Sequence, residues 1–167
     1  LKKTASLQVK TGAAPAVEEA FELYRQHKQR FSDGEDPSLA NFRESFFSPH
    51  PAARILTVRD GARLVAAAHF DETDASLSAV YTYYDDLDYA WASPGKLAVL
   101  KLISEAAARG RRYLYLGYYI HGNPSMSYKA GFSPFEYSPS GGIWIQPDRP
   151  LRELSFDPGR SLLTEVV

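Results

Sequence analysis

The chain changes its hydrophobic period several times along its length. Ala5, Leu7 and Val9 alternate with polar neighbours, which predicts a short edge strand over Leu1 to Lys10, broken by Gly12 to Pro15. Val17, Ala20, Phe21 and Tyr24 then recur at i, i+3, i+4 and i+7, as on a helix that faces a core. Glu18, Glu19, Glu22, Arg25 and Gln26 fill the other face of that helix. After the loop Ser32 to Pro37, Ser38 opens a second helix with Leu39, Phe42 and Phe46 on its apolar side, ended by Ser48-Pro49-His50-Pro51. Arg54–Arg59 and Arg63–Phe70 flank Asp60-Gly61, a strong hairpin signal, and Leu77–Tyr84 adds a third antiparallel strand. Asp85 to Ser93 is an acidic, aromatic loop.

Ser93-Pro94 reads as the cap and first turn of the longest helix, Gly95–Arg109, with Val99, Leu102, Ile103 and Ala106 as its buried stripe. Tyr113–Tyr119 predicts the next strand. A full helix separates it from Leu77–Tyr84, so the two can lie parallel through a right-handed crossover. Asn123 and Pro124 then predict a capped helix that carries Ser127, Tyr128 and Lys129, with Met126 and Ala130 on one face and Gly131 ending it in the left-handed conformation. Phe132–Tyr137 and Gly142–Gln146 predict a closing hairpin around Pro139-Ser140-Gly141. The fold class is α+β (mixed α/β), with residues 1–146 as the domain and 147–167 as a loosely attached, proline-containing tail.

Composition narrows the chemistry. At 167 residues and 44% hydrophobic, the chain can bury one good core. A net charge of −1 gives no general basic field to draw in nucleic acid or a membrane surface. With no cysteine, disulfides, cysteine-ligated metals and a cysteine nucleophile are excluded. His27, His50 and His69 show no ligand spacing, and no metal site is expected. Lacking a signal-like or long apolar stretch, the chain reads as a soluble, cytoplasmic protein. It begins at Leu1 instead of a methionine, which suggests an excised piece.

Taken together, the element order resembles the GCN5-related N-acyltransferase (GNAT) fold, in which two parallel strands splay and the gap receives an activated acyl donor. Acetyl-CoA enzymes of that fold hold the donor's pyrophosphate on a glycine-rich loop at a helix N-terminus. Here that place reads Ala90-Trp91-Ala92-Ser93-Pro94-Gly95-Lys96, with one glycine and a proline that removes an N–H, which disfavours coenzyme A.

A closer likeness lies in Phe21-Glu22-Leu23-Tyr24, Tyr81 to Asp85, and Gly117-Tyr118-Tyr119-Ile120-His121-Gly122 with Pro124, Met126, Tyr128-Lys129 and Gly131-Phe132. These residues resemble the C-terminal domain of arginyl-tRNA–protein transferases and their bacterial leucyl relatives, over Leu7 to Ile145. The resemblance implies transfer of arginine or leucine from aminoacyl-tRNA to proteins that begin with Asp or Glu, an N-degron mark for degradation. It implies no metal and no coenzyme A. It also implies an N-terminal cysteine-containing domain as partner; either the chain was cut from it, or it is a stand-alone relative. The family usually has Cys-Pro-Lys-Met where this chain has Asn123-Pro124-Ser125-Met126. Asn serves as a cap, and the missing lysine removes a positive charge.

Aminolysis of an ester needs a neutral amine, a stabilised oxyanion and a proton for the leaving oxygen. On this reading His121 is the acid or base, with Tyr119 and Lys129 completing the catalytic set, and backbone N–H groups of Tyr118 to Ile120 face the oxyanion. Lys129 offers a cation to an acidic side chain or a tRNA phosphate. Tyr83, Asp85, Tyr118, Met126, Ser127 and Tyr128 are the expected substrate-binding residues. Tyrosines supply stacking faces for the terminal adenine, and nine of the eleven fall between Tyr81 and Tyr128. Asp85, Asp86 and Asp88 are candidates to receive an arginyl guanidinium. Arg109, Arg111 and Arg112 are either charge complementing a helix end or part of a tRNA surface. Two other functions fit the residues: a CoA-dependent N-acyltransferase, and a non-catalytic module that binds acidic N-termini.

Overall fold

Gly61 sits at φ +56 and turns the chain at the tip of a long hairpin, a conformation that glycine adopts at little steric cost. The computed structural model describes residues 6–31, 36–120, 122–138 and 142–148, with the backbone of Thr164–Glu165. In chain order it holds β1 (Gln8–Thr11), α1 (Val17–Lys28), α2 (Leu39–Phe47), β2 (Ala53–Asp60), β3 (Arg63–Glu72) and β4 (Ser76–Tyr84). A short 3-10 helix (Ala90–Ala92) leads into α3 (Pro94–Ala108), followed by β5 (Tyr113–Tyr115) and β6 (Tyr118–Tyr119). A second 3-10 helix (Ser127–Gly131) and β7 (Thr164–Glu165) complete the order. Strands β1 to β5 form one sheet in sequence order, antiparallel except for the β4–β5 pair. The α+β architecture is the one the periodicities predict. The hairpin corner is Gly61-Ala62, because Asp60 itself pairs with Arg63.

Each face of the sheet carries a core. Leu56, Val58, Phe70, Leu77, Leu102 and Leu114 lie in the core on the α3 side. Ala20, Leu23, Phe42, Ile55 and Tyr83 form the other, under α1 and α2. Between the pairs His69↔Tyr81 and Phe70↔Ala79, Val80 has no partner, which makes it a β-bulge. The extra residue reverses the side-chain parity of β4. Leu77 and Ala79 belong to the α3-side core, Tyr81 and Tyr83 belong to the opposite one, and Tyr84 returns to the α3 side.

Several local expectations change. Leu39 and Ile103 are exposed, so Phe42 is the buried residue of α2, and Leu97, Ala98, Val99, Leu102 and Ala106 form most of the buried stripe of α3. Ser93 precedes α3 in the left-handed region at φ +47 and makes no side-chain cap; its carbonyl instead accepts the Leu97 N–H at 3.0 Å. Gly117, at φ +73, divides the predicted strand Tyr113–Tyr119 into β5 and β6. The predicted capped helix is a turn followed by a 3-10 segment. Asn123 Oδ1 takes the Ser125 N–H at 2.9 Å, as in an Asx-turn. Gly131 does not adopt the left-handed region, and extended Phe132 ends the segment. The closing hairpin reduces to one bridge, Tyr137↔Ile145, with N–H···O distances of 3.0 and 2.9 Å; Pro139–Gly141 lies outside the described residues. From the tail, Thr164–Glu165 pairs antiparallel with β6.

Candidate active site

The parallel pair β4–β5 holds only over Ser76–Ser78 against Tyr113–Tyr115. Beyond it, β4 continues to Tyr84 while Gly117 swings the chain away, so no described strand pairs with that edge of β4. The result is a V-shaped gap whose β4 wall offers backbone hydrogen-bonding groups, with the bulged, exposed Val80 within that wall. Polar groups free of ladder partners are what a reacting carbonyl needs beside it.

Lys129 belongs to the opposite wall. It is only 9% exposed, and its Nζ donates to the Tyr118 carbonyl at 2.6 Å. A Cβ added to Gly117 would stand 3.8 Å from that Nζ, so the glycine and the amine are in contact across the start of the gap. Burial lowers the lysine's pKa, and no carboxylate among the described residues lies at ion-pair distance to offset it. Lys129 is therefore not the surface cation that the sequence suggested, but a buried amine that fixes the Tyr118 backbone.

The other predicted residues divide. Tyr118 is exposed, and Tyr128 is partly so, its ring edge-on to Phe132 at 6.4 Å and 87°. Burial raises the Tyr128 hydroxyl pKa, and neighbouring Tyr84 raises it further. Tyr119 is buried in the α3-side core with Met126 packed against it. Ser127 is exposed and donates its hydroxyl to the Pro124 carbonyl at 2.9 Å. His121 lies outside the described residues.

Tyr83 and Asp85 are placed elsewhere. The bulge turns Tyr83 away from the gap, where it is fully buried and its hydroxyl lies 3.1 Å from His69 Nε2. Asp85 is 1% exposed and has its partners already: Arg63 at 2.5 Å, Gln26 at 3.0 Å, and the N–H groups of Leu87 and Asp88 at 3.0 Å each. It sits at a cleft of about 440 Å³ between α1 and the start of β3. Its guanidinium is supplied from within the chain, by Arg63.

Reading the sequence misses Tyr84 and Arg30, and Asp86 also takes its guanidinium from within the chain. The Tyr84 ring covers the start of α3 so closely that a Cβ on Gly95 would meet it at 2.7 Å. Arg30 lies 4.9 Å over that ring and donates to its hydroxyl at 2.5 Å, while its Nε bonds Asp86 at 2.8 Å. Beneath them, His27 Nδ1 lies 3.2 Å from the Tyr84 carbonyl. Burial, and then the Arg30 charge, lower the pKa of His27 to about 4, so the ring is neutral at pH 7. The lone glycine at Gly95 is the one sequence signal that marked this close approach.

A profile of the family described as "Arginine-tRNA-protein transferase, C terminus" matches residues 19–138. The chain is 37% identical over 139 residues to an aspartate/glutamate leucyltransferase of Pseudomonas savastanoi pv. phaseolicola. It is 39% identical over 140 residues to one of Stutzerimonas stutzeri. Both matches cover 81% of this chain and 59% of the relative, so the chain spans less than two thirds of their length. Among solved structures, an acetyltransferase from Thermus thermophilus superposes with a TM-score of 0.61 at 16% identity, covering 84% of this chain and 95% of that one. The ribosomal-protein-S18-alanine N-acetyltransferase from Escherichia coli superposes at 0.56 and 14% identity, covering 78% and 79%. At these identities the likeness is one of fold, and it is the GNAT-like fold the element order predicts. The start of α3 is poorly suited to the pyrophosphate of coenzyme A. Pro94 has no N–H to offer, and the Tyr84 ring covers Gly95.

Proposed function

The chain belongs to the arginine-tRNA-protein transferase C-terminal family, and from that membership we propose that it transfers an amino acid from a charged tRNA to the α-amine of proteins that begin with Asp or Glu. The observation that carries this reading is the gap itself: a β4 edge that no described strand pairs, across from Gly117–Tyr118, beside a helix start poorly suited to coenzyme A. Leucine is the favoured donor. The relatives are named aspartate/glutamate leucyltransferases, and Asp85, a candidate to receive an arginyl side chain, is occupied by Arg63.

In the reaction the acceptor nitrogen attacks the ester carbonyl carbon, a C–N bond forms, and the C–O bond to the terminal ribose breaks. The amine's proton leaves and the ribose oxygen regains one, so no net proton is consumed when a neutral amine enters. The expected oxyanion donors, the N–H groups of Tyr118 to Ile120, lie in a stretch whose Tyr118 and Tyr119 pair with Glu165 and Thr164. Backbone N–H groups on the open β4 edge are therefore the donors of this proposal, in a site where fixed donors act more strongly than water. Lys129 positions the facing backbone through Tyr118. Tyr118 and Tyr128 offer exposed rings for the terminal adenine. His121 is the proposed proton carrier, and Tyr119 and Met126 form the packed base of that wall. Protein substrates with N-terminal Asp or Glu, a cytoplasmic location and an N-terminal cysteine-containing domain as partner belong to the same proposal.

The test uses charged Leu-tRNA and Arg-tRNA in separate reactions with a peptide beginning with Asp, read by mass spectrometry. The peptide is expected to gain one leucyl residue at its N-terminus. Failure with both donors, by the chain alone and together with an N-terminal cysteine-containing domain, would defeat the reading. Activity only in the presence of that domain would show that the partner domain is required.

A further inference from the structure

Arg30 and Asp86 are ion-paired at 2.8 Å, yet both side chains keep access to water, at 37% and 26% exposure. The guanidinium is held on two sides, by the Tyr84 ring below it and the Tyr84 hydroxyl at 2.5 Å. One edge of its planar donor fork is thus pre-oriented, which reduces the entropy lost when a ligand binds. Tyr84 also covers Gly95 and lies within electrostatic reach of the Tyr128 hydroxyl, so the pair stands where α1, the end of β4 and the start of α3 meet, on the side toward the Tyr128 segment. Lys28 and Lys96 also lie nearby without an ion pair among the described residues, but a lysine amine offers no planar fork, and the Tyr84 ring and hydroxyl orient neither of them. The other nearby cations are engaged. Arg63 is held by Asp85 and Asp88, Arg59 by Glu19, and the Lys129 amine by the Tyr118 carbonyl.

An acceptor beginning with Asp or Glu carries an amine and a carboxylate a few ångströms apart on one residue. Resting on the proposed transfer, we infer that the Arg30–Asp86 pair reads this terminal residue, Arg30 taking its side-chain carboxylate and Asp86 accepting a hydrogen bond from its α-amine. The exchange is partner for partner: a charged donor and a charged acceptor in the protein meet their counterparts in the ligand. Neither protein group is left desolvated and unpaired, the condition that makes charge burial tolerable. An N-terminal Asn or Gln has nearly the same shape but no charge for the guanidinium, and hydrogen bonds between ionised groups are roughly twice as strong as neutral ones. Neutral His27 beneath Tyr84 supports the arrangement without adding a competing cation.

The experiment compares acceptor peptides that differ only in starting with Asp, Asn or Lys, using the wild type, Arg30→Met, Arg30→Lys and Asp86→Asn. Binding is measured first by NMR titration without tRNA, then transfer by mass spectrometry. Arg30→Met is expected to weaken binding of the Asp peptide about tenfold and to abolish its advantage over the Asn peptide, one lost charged contact. In transfer the loss should appear in KM far more than in kcat. Arg30→Lys should restore part of the preference, and Asp86→Asn should weaken Asp and Asn peptides alike. Arg25→Met, at an exposed pair with Glu22, serves as the control that leaves all of these unchanged. A folded Arg30→Met protein with the wild-type Asp-over-Asn preference overturns the inference, as does a wild type that binds the three peptides equally or not at all. Arg30-dependent Asp binding without transfer, whether or not the partner domain is present, would defeat the transfer reading and leave this inference standing.

Discussion

Lys129 shows how a residue's chemistry follows from where its side chain ends. An exposed lysine would serve as a mobile cation, but this amine is buried and bonded to one carbonyl. Lys129→Met keeps the length and removes the hydrogen bond, a loss of about 1 kcal/mol that is partly offset by no longer burying an amine. The melting temperature is therefore expected to move little, while transfer falls about tenfold as Tyr118 loses its support. Normal transfer by a folded variant removes Lys129 from the mechanism. The histidines make a separate prediction. Burial brings His69, like His27, to a pKa of about 4, against 6.5 when unfolded. Between those values the unfolded chain binds more protons, so stability is full above about pH 6.5, declines as pH falls and levels off below about pH 4. The decline amounts to at most roughly 3 kcal/mol per histidine. Urea titrations across that range should reveal it, and His69→Gln, which keeps a partner for the Tyr83 hydroxyl, should flatten the curve. An equally steep curve in the variant would rule out His69 as a source.

At the level of elements, a single extra residue decides which tyrosines meet the gap. Strict alternation along Leu77–Tyr84 puts Tyr83 on the same face as Leu77, the side on which the site is built. The bulge at Val80 reverses that parity, so Tyr83 joins the core and Tyr84 lies against α3. Period and composition identify the strand, but they carry no signal for a bulge, whose position depends on packing on both faces. The same limit applies at Gly117. Tyr113 to Leu116 alternates and the aromatic residues resume at Tyr118, so the stretch reads as one strand; Gly117 is its one interruption, and the positive φ there divides it in two. Gly95 gives this level its prediction. A Cβ there would stand 2.7 Å from Tyr84 Cε1, and a ring can move where backbone cannot. Gly95→Ala is thus expected to fold at a cost of about 1 kcal/mol. The displaced ring should carry Arg30 with it and weaken Asp-peptide binding severalfold. Unchanged binding and unchanged melting together would mean that the contact is not made in solution.

Across the whole molecule, the sequence disclosed the order of elements and the functional family because both reside in long, regular patterns: two helical periods, a hairpin turn and an aromatic string after the crossover. It disclosed less about charge, since pairing depends on folding. Every described arginine except Arg112 meets a carboxylate, and Arg112 lies 5.1 Å over the Tyr113 ring. The basic run at Arg109, Arg111 and Arg112 is thereby largely absorbed, two of its members closing on Glu72 together with Arg54. These pairs absorb the described arginines but one, which leaves Arg112 and the lysines Lys10, Lys28, Lys96 and Lys101, set on β1, α1 and α3, to displace counterions from a nucleic-acid backbone, in a chain whose net charge is −1. If the proposed transfer holds, affinity for tRNA should come mainly from a 3′ end seated in the gap, with about two phosphates neutralised. Plotted as log K against log salt, binding of this chain to tRNA is expected to have a shallow slope, about −2 or less in magnitude. A short oligonucleotide ending in the same aminoacylated adenosine should bind nearly as well as the whole tRNA, because stacking on exposed tyrosines tolerates salt. A steep slope, or a large advantage for whole tRNA, would mean that the chain carries a phosphate-binding surface of its own, and Arg112 would be the first residue to substitute.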